Sequence, residues 1–268
     1  MTNDRPMRIG VQYLPQHSPT YGPIRDAVLR GEDAGVDIAF NWDHFYPLSG
    51  DPDGYHFECW TMLAAWAEQT ERIELGPLVT CNSYRNPELL ADMVRTVDHI
   101  SAKGGEGRVI LGIGSGWFER DYLEYGYEFG TAGSRLDDLA EALPRIESRF
   151  EKLHPAATRD VPILIGGSGE RKTLRLVAKY ADIWHTMYDT AVFGHKIDVL
   201  KGWCDEVGRD IAEIELSAGL FAHQGFDRDL LDEMYDAGIR LLTIGANGPN
   251  YEADGLSDYL AWRDDKNG

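Results

Sequence analysis

Residues 40–47, FNWDHFYP, close an apolar run and then set Asp43 and His44 side by side between Trp42 and Phe45. An imidazole can give or take a proton near neutral pH, because its unperturbed pKa lies near 6.5. The same pair can also serve as a structural cap that hydrogen-bonds loop backbone. A second candidate is ILIGGSGERKTLRL, residues 163–176, in which Gly166, Gly167, Ser168 and Gly169 run into a helical pattern of Leu174, Val177, Ala178 and Ala181. Glycines let a backbone approach closely, and free N–H groups at a helix start attract anions. Arg171 and Lys172 then fall in the first helical turn, where the helix dipole disfavours cations. A negatively charged ligand explains them, and so does plain solvation. The stretch matches neither the Walker pattern nor GxGxxG. A third cluster, GIGSGW at 112–117, either admits something large and flat against Gly114 and Gly116 or makes a tight strand-to-loop turn.

His185 and His223 end later apolar runs, so with Asp43 and His44 they could converge on a metal ion. The first apolar run, RIGVQYL, has no His-x-His pair to support this. A metal-dependent hydrolase therefore ranks last, and no metal is expected.

Those candidates need elements to hold them. Short apolar runs alternate with amphipathic segments, the pattern of βα units around a parallel sheet. Eight strands are predicted, at 8–14, 36–42, 73–80, 108–114, 161–167, 182–187, 214–222 and 241–247. Asn86 can cap a helix opened by Pro87 and Glu88, with Leu89, Leu90, Met93, Val94, Val97 and Ile100 on one face. Phe193, Ile197, Leu200, Trp203, Cys204 and Val207 repeat that spacing, and Gly208 stands where a left-handed residue ends a helix. Eight strand–helix units in 268 residues predict an α/β fold, a single-domain (β/α)8 TIM barrel over 1–268, with a doubly wound open sheet as the alternative. In a barrel, the strand ends that carry Asp43, His44 and both glycine clusters face one mouth. The longest connection, 115–134, is rich in aromatic residues and is either a functional loop or a rim-packing segment.

The formal net charge of -19 opposes binding to nucleic acid or to anionic membranes. No run approaches the roughly 18 apolar residues of a membrane span, and the N-terminus lacks a leader-like apolar stretch, so a cytoplasmic protein is expected. The three cysteines, Cys59, Cys81 and Cys204, are too few and too far apart for a disulfide framework and are expected as buried free thiols.

Taken jointly, WDHF, LGPLVTCNSYRNPELLA, GRVILGIGSGWFERDYLEYG and PILIGGSGERKTLRLVAKYAD resemble the luciferase-like monooxygenase superfamily, in particular its coenzyme F420-dependent oxidoreductases. The resemblance spans Arg8 to about Gly248. It implies a (β/α)8 barrel holding F420, or alternatively FMN, at its C-terminal mouth. It also implies that hydride passes between deazaflavin C5 and an organic substrate that the sequence does not identify. By the same resemblance His44 is the acid/base partner and Asp43 contacts the cofactor. A backbone element at Leu78–Val79, often with a non-prolyl cis peptide, backs the ring, while Gly114, Gly116, Gly166, Gly167, Ser168 and Gly169 hold the cofactor chain and its phosphate; Arg171 and Lys172, from the helix start read above, are expected to join them as anion contacts. A homodimer acting on a small molecule is implied as well. The rival functions are an FMN-dependent luciferase-like monooxygenase and a non-catalytic F420- or flavin-binding protein. Many relatives carry a long insertion near the seventh strand that this chain lacks, so substrate-reading residues do not carry over.

Overall fold

Every strand of the sheet is parallel, and the sheet closes on itself. A computed structural model describes residues 5–220 and 224–268. The strands are β1 (Arg8–Tyr13), β2 (Ile38–Asn41), β3 (Glu74–Pro77), β4 (Thr80–Cys81), β5 (Leu111–Gly114), β6 (Ile163–Gly166), β7 (Ile183–Met187), β8 (Glu215–Gly219) and β9 (Ile239–Ala246). Their order is β3-β2-β1-β9-β8-β7-β6-β5-β4. Because β3 and β4 are two halves of one stave interrupted at Leu78 and Val79, the nine segments make eight staves. The seam closes where Leu75 N donates to Arg108 O at 2.9 Å and Ile110 N donates to Leu75 O at 2.7 Å.

The helices are α1 (Gly22–Ala34), α2 (Cys59–Gln69), α3 (Pro87–Ala102), α4 (Glu119–Tyr125), α5 (Ala132–Phe150), α6 (Thr173–Tyr180), α7 (Phe193–Val207), α8 (Arg228–Asp236) and α9 (Leu256–Asn267). Asn86 caps α3 by accepting from the N–H groups of Glu88 and Leu89, and Gly208 ends α7 with φ 74. Leu89, placed on the buried face by its spacing, is exposed instead. The buried stripe runs through Leu90, Val94 and Val97, and one residue of helix turns the side chain by about 100°, which carries Leu89 off that stripe.

Two cores result from side-chain alternation along the staves. The inner one fills the barrel with Ile38, Phe40, Leu78, Ile110, Leu164, Ile183 and Leu241, while the larger one lies between the staves and the helices. At the bottom of the barrel Arg8 bridges Glu74 and Glu215, each at 2.5 Å. Burial opposes the Arg8 charge, yet these two carboxylates more than compensate and raise its pKa. Cys59, Cys81 and Cys204 are free and buried. Among the described residues no helix is long and apolar enough to cross a membrane.

The 115–134 connection holds α4 and the Thr131 cap of α5. Its rings pack on the rim: Tyr122, Tyr127 and Phe129 join Phe45, Tyr84 and Cys81. Tyr125 stacks on Phe45 from the outside and stays exposed, and Trp117, 63% exposed, stands on the wall of the cavity described next.

Candidate active site

A cavity of about 1440 Å³ opens among the C-terminal strand ends. Pockets for single small ligands run from about 300 to 1,000 Å³, so this one has room for a cofactor and a second molecule.

The gap between β3 and β4 is its most unusual wall. The Leu78–Val79 peptide is cis. Leu78 N donates to Asn41 O at 2.7 Å, and Gln12 Nε2 donates to Leu78 O at 2.6 Å. The bulge pushes Val79 across the neighbouring staves, and glycines receive it. A Cβ on Gly114 would stand 2.8 Å from Val79 Cγ2, and one on Gly166 would stand 3.0 Å from Val79 Cγ1. Gly114 and Gly166 therefore line the cavity and also make room for the bulge. Gly116, with φ 79, is demanded by other neighbours, since its Cβ would lie 2.0 Å from Tyr122 Oη.

Asp43 is fully enclosed. It accepts from Thr80 Oγ1 at 2.5 Å, Cys81 N at 3.0 Å and both terminal nitrogens of Arg85 at 2.5 and 3.0 Å. Arg85 also reaches Glu58 at 2.7 Å. Burial works against the Arg85 cation, but Asp43 and then Glu58 hold its pKa above the ordinary value. The Asp43 carboxylate thus ties β2 to β4 across the bulge and does not line the cavity.

His44 turns the other way. Its Nδ1 meets Asp121 Oδ2 at 2.7 Å. Asp121, fully buried on α4, also accepts from Phe45 N and Tyr84 Oη, both at 3.1 Å. Burial, followed by nearby Cys81 and Asp121, raises the Tyr84 pKa, so its hydroxyl stays a donor. The imidazole sits edge-on to Trp42, Trp117 and Phe118, with centroids 5.5 to 5.6 Å away. Trp42 and Trp117 line the cavity, and His44 stands directly behind them. Trp42 Nε1 donates to His56 Nε2 at 2.9 Å, and burial, with His44 nearby, pulls the His56 pKa down to about 4.

Gly167 and Ser168 line the wall beside Gly166. Gly167 has φ 119, a conformation that favours glycine. Among the described residues no acceptor takes the backbone N–H of Ser168 or Gly169. Gly169 itself lies off the wall, where a Cβ would be 2.8 Å from Thr173 Oγ1. Arg171 and Lys172 precede α6 rather than filling its first turn, and neither lines the cavity. Lys172 Nζ is held by Asp137 at 2.6 Å and Gly133 O at 3.1 Å. The lysine that does reach the wall is Lys196, paired with Glu170 at 2.5 Å.

On β7, next to that wall, His185 is buried, with Nδ1 2.8 Å from Ser217 Oγ, and burial pulls its pKa down to about 4. His223 lies outside the described residues. Among the described residues no group of three or more His, Cys, Asp or Glu is arranged to hold a metal ion.

Sequence reasoning passed over Asp121, Arg85 and Lys196, and it placed the cis peptide at Leu78–Val79 where the structure has it. Asp121 lay in a segment noted only for its rings, and its carboxylate is 77 positions from His44. The one local hint was an acid within that aromatic run.

The model of a family described as luciferase-like monooxygenase matches residues 6–263. An F420-dependent glucose-6-phosphate dehydrogenase of Amycolatopsis mediterranei (strain U-32) is 30% identical over 183 residues, covering 60% of this chain and 51% of that protein. The chain thus matches about half the length of that relative. Among solved structures, an F420-dependent secondary alcohol dehydrogenase in complex with an F420-acetone adduct aligns with TM-score 0.82 and 16% identity, over 96% of this chain and 99% of that one. The FMN-bound oxygenating constituent of 3,6-diketocamphane monooxygenase from Pseudomonas putida aligns with TM-score 0.64 and 17% identity, over 79% of this chain and 66% of that one. At these identities the structural likenesses concern the fold.

Proposed function

Because the chain belongs to the luciferase-like monooxygenase family, matched over residues 6–263, we propose that it is an F420-dependent oxidoreductase acting on a small organic molecule. The observation that carries the reading is the wall made by the Val79 bulge and the glycines beside it, together with the N–H groups of Ser168, on that wall, and Gly169, just off it, neither of which has an acceptor among the described residues. These residues fit a flat ring with a phosphorylated chain. The bulge and the bare glycines leave a smooth face for the ring, and the two N–H groups before α6 suit an anion. When bound, the deazaflavin supplies the hydride donor or acceptor at C5.

The protein's own share is binding, orientation and proton handling. Asp121 accepts from Nδ1 of His44, which leaves Nε2 as the nitrogen that exchanges a proton with the substrate side. Trp42 and Trp117, on the cavity wall, flank that imidazole edge-on and shield it from bulk water. Asp43 acts at one remove, since its bonds to Arg85, Thr80 and Cys81 hold β4 in register with β2 and so hold Val79 in place. A homodimer belongs to the same reading, on the resemblance alone, and sedimentation of the purified protein measures the assembly.

Titration with oxidised F420, followed by quenching of Trp42 and Trp117 emission, should saturate in the micromolar range or below. FMN serves as the parallel titrant. Saturation by FMN alone would move the assignment to a flavin-dependent monooxygenase, and no binding of F420 far above micromolar would sink the proposal. Tight F420 binding with no oxidation of the reduced form by any acceptor would favour a carrier. In the enzyme, His44→Ala should lower turnover by about 10²-fold or more.

A further inference from the structure

Opposite the Val79 bulge, four staves round the barrel, the cavity has a second polar feature, apart from the wall proposed for the cofactor. β7, β8 and β9 run side by side, with His185 paired to Ser217 and Gly219 paired to Thr243 in register. Gly219 leaves a gap between its neighbours. A Cβ there would lie 3.1 Å from Thr243 Oγ1, 3.5 Å from His185 Nε2 and 3.0 Å from Met187 Sδ. Two polar atoms therefore stand over one stretch of bare backbone. Both residues are more than nine-tenths buried, at 9% exposed for His185 and 5% for Thr243, and both line the cavity. Ser217 takes Nδ1 of His185. Among the described residues nothing hydrogen-bonds His185 Nε2 or Thr243 Oγ1. Both residues line the cavity, so a ligand that enters there meets two polar atoms with no protein partner among the described residues.

We infer that the floor over Gly219 is a substrate subsite for an uncharged oxygen, a hydroxyl or a carbonyl, bound by His185 Nε2 and Thr243 Oγ1. The inference rests on the oxidoreductase reading for calling the ligand a substrate, but the subsite itself is a property of the fold. Its ligand is neutral because, among the described residues, the subsite carries no charge. Burial keeps the His185 imidazole neutral above about pH 4. The lysine on the wall, Lys196, is already paired with Glu170, and Asp189, Glu252 and Asp254 line the rim as exposed acids. An anion would meet those carboxylates without a free cation to receive it, and a cation would give up hydration for two neutral groups. A hydroxyl matches both atoms by accepting from one and donating to the other, and a carbonyl matches them by accepting from the imidazole N–H and from the threonine O–H.

Three probes that differ only in head-group charge test this: cyclohexanol, cyclohexylamine and cyclohexyl phosphate, each titrated at pH 7 into the protein alone and with F420. Ligand-detected NMR gives affinity, and the ring resonances of His185 report the place. Cyclohexanol should shift the His185 ring and bind at least tenfold more tightly than either charged analogue. Thr243→Val should weaken cyclohexanol about fivefold, the loss of one hydrogen bond, and His185→Phe should do at least as much, while F420 affinity stays within about twofold. Thr243→Val removes only an unpaired hydroxyl and keeps the test available if His185→Phe folds poorly. Equal or tighter binding of a charged probe, an unmoved His185 ring, or unchanged cyclohexanol affinity in Thr243→Val would overturn the subsite. Failure of F420 to bind while cyclohexanol still shifts His185 would overturn the cofactor reading and leave the subsite standing.

Discussion

The two walls of the barrel mouth use their polar residues in opposite ways. On the wall made by β2, β4 and α4, the acids are consumed: Asp43 serves Arg85, Thr80 and Cys81, and Asp121 serves His44, Tyr84 and Phe45. On the wall from β6 to β9, Ser168, His185 and Thr243 keep hydrogen-bonding capacity that no described residue uses. The first wall holds a shape and the second offers bonds. A buried ionised group demands partners before it can sit in a low-dielectric interior, so conspicuous acids near a site are often braces. Neutral polar groups cost less to leave waiting for a ligand.

The largest break in that contrast should come from Asp43→Ala. It strands the Arg85 guanidinium, 10% exposed in its side chain, with only the half-exposed Glu58. The expected loss is about 3–5 kcal/mol of unfolding free energy in urea, and a loss below about 1 kcal/mol would mean that Asp43 is no brace.

Acidification comes next, because each side has one neutral imidazole, His56 behind Trp42 and His185 opposite. Both folded-state pKa values fall to about 4 through burial, below the ordinary 6.5. The unfolded chain then binds more protons, so their stabilisation is complete above pH 6.5 and is lost as pH falls toward 4. Between pH 6.5 and 5.5 the loss should be on the order of 1 kcal/mol for each imidazole. Urea midpoints at these pH values measure it, and His185→Phe should remove one half of the slope.

Gly114→Ala should follow, since the new Cβ meets Val79 Cγ2 at 2.8 Å. It should cost about 1–3 kcal/mol and weaken F420 binding, whereas Gly245→Ala, with nothing within 4 Å, should change stability by less than about 0.5 kcal/mol. Equal effects on the two walls would erase the distinction drawn between them. The smallest effect belongs to Lys172→Ala. Its exposed pair with Asp137 should be worth nothing measurable in unfolding, and F420 affinity should be unchanged by isothermal titration. A tenfold loss of affinity would restore Lys172 to the phosphate site.

Much of the architecture was legible along the chain. Period-2 and period-3.6 patterns, the Asn86 cap, the Gly208 stop and the order of the glycine clusters give eight staves and their intervening helices, because each depends on residues within a few positions of one another. The site was legible in place and less so in role. The sequence by itself determined which stave ends carry Asp43, His44, Gly114 and Gly166, since strand periodicity and βα alternation are local properties. Only the tertiary structure decided that Asp43 belongs to Arg85, 42 positions away, and His44 to Asp121, 77 positions away. It alone decided that two glycines admit Val79, and that the unspent hydrogen bonds lie over Gly219. In a parallel barrel, neighbouring staves are separated by a whole helix and its loops. Which side chains meet at the mouth is therefore fixed by register and closure of the sheet, and no local pattern encodes it.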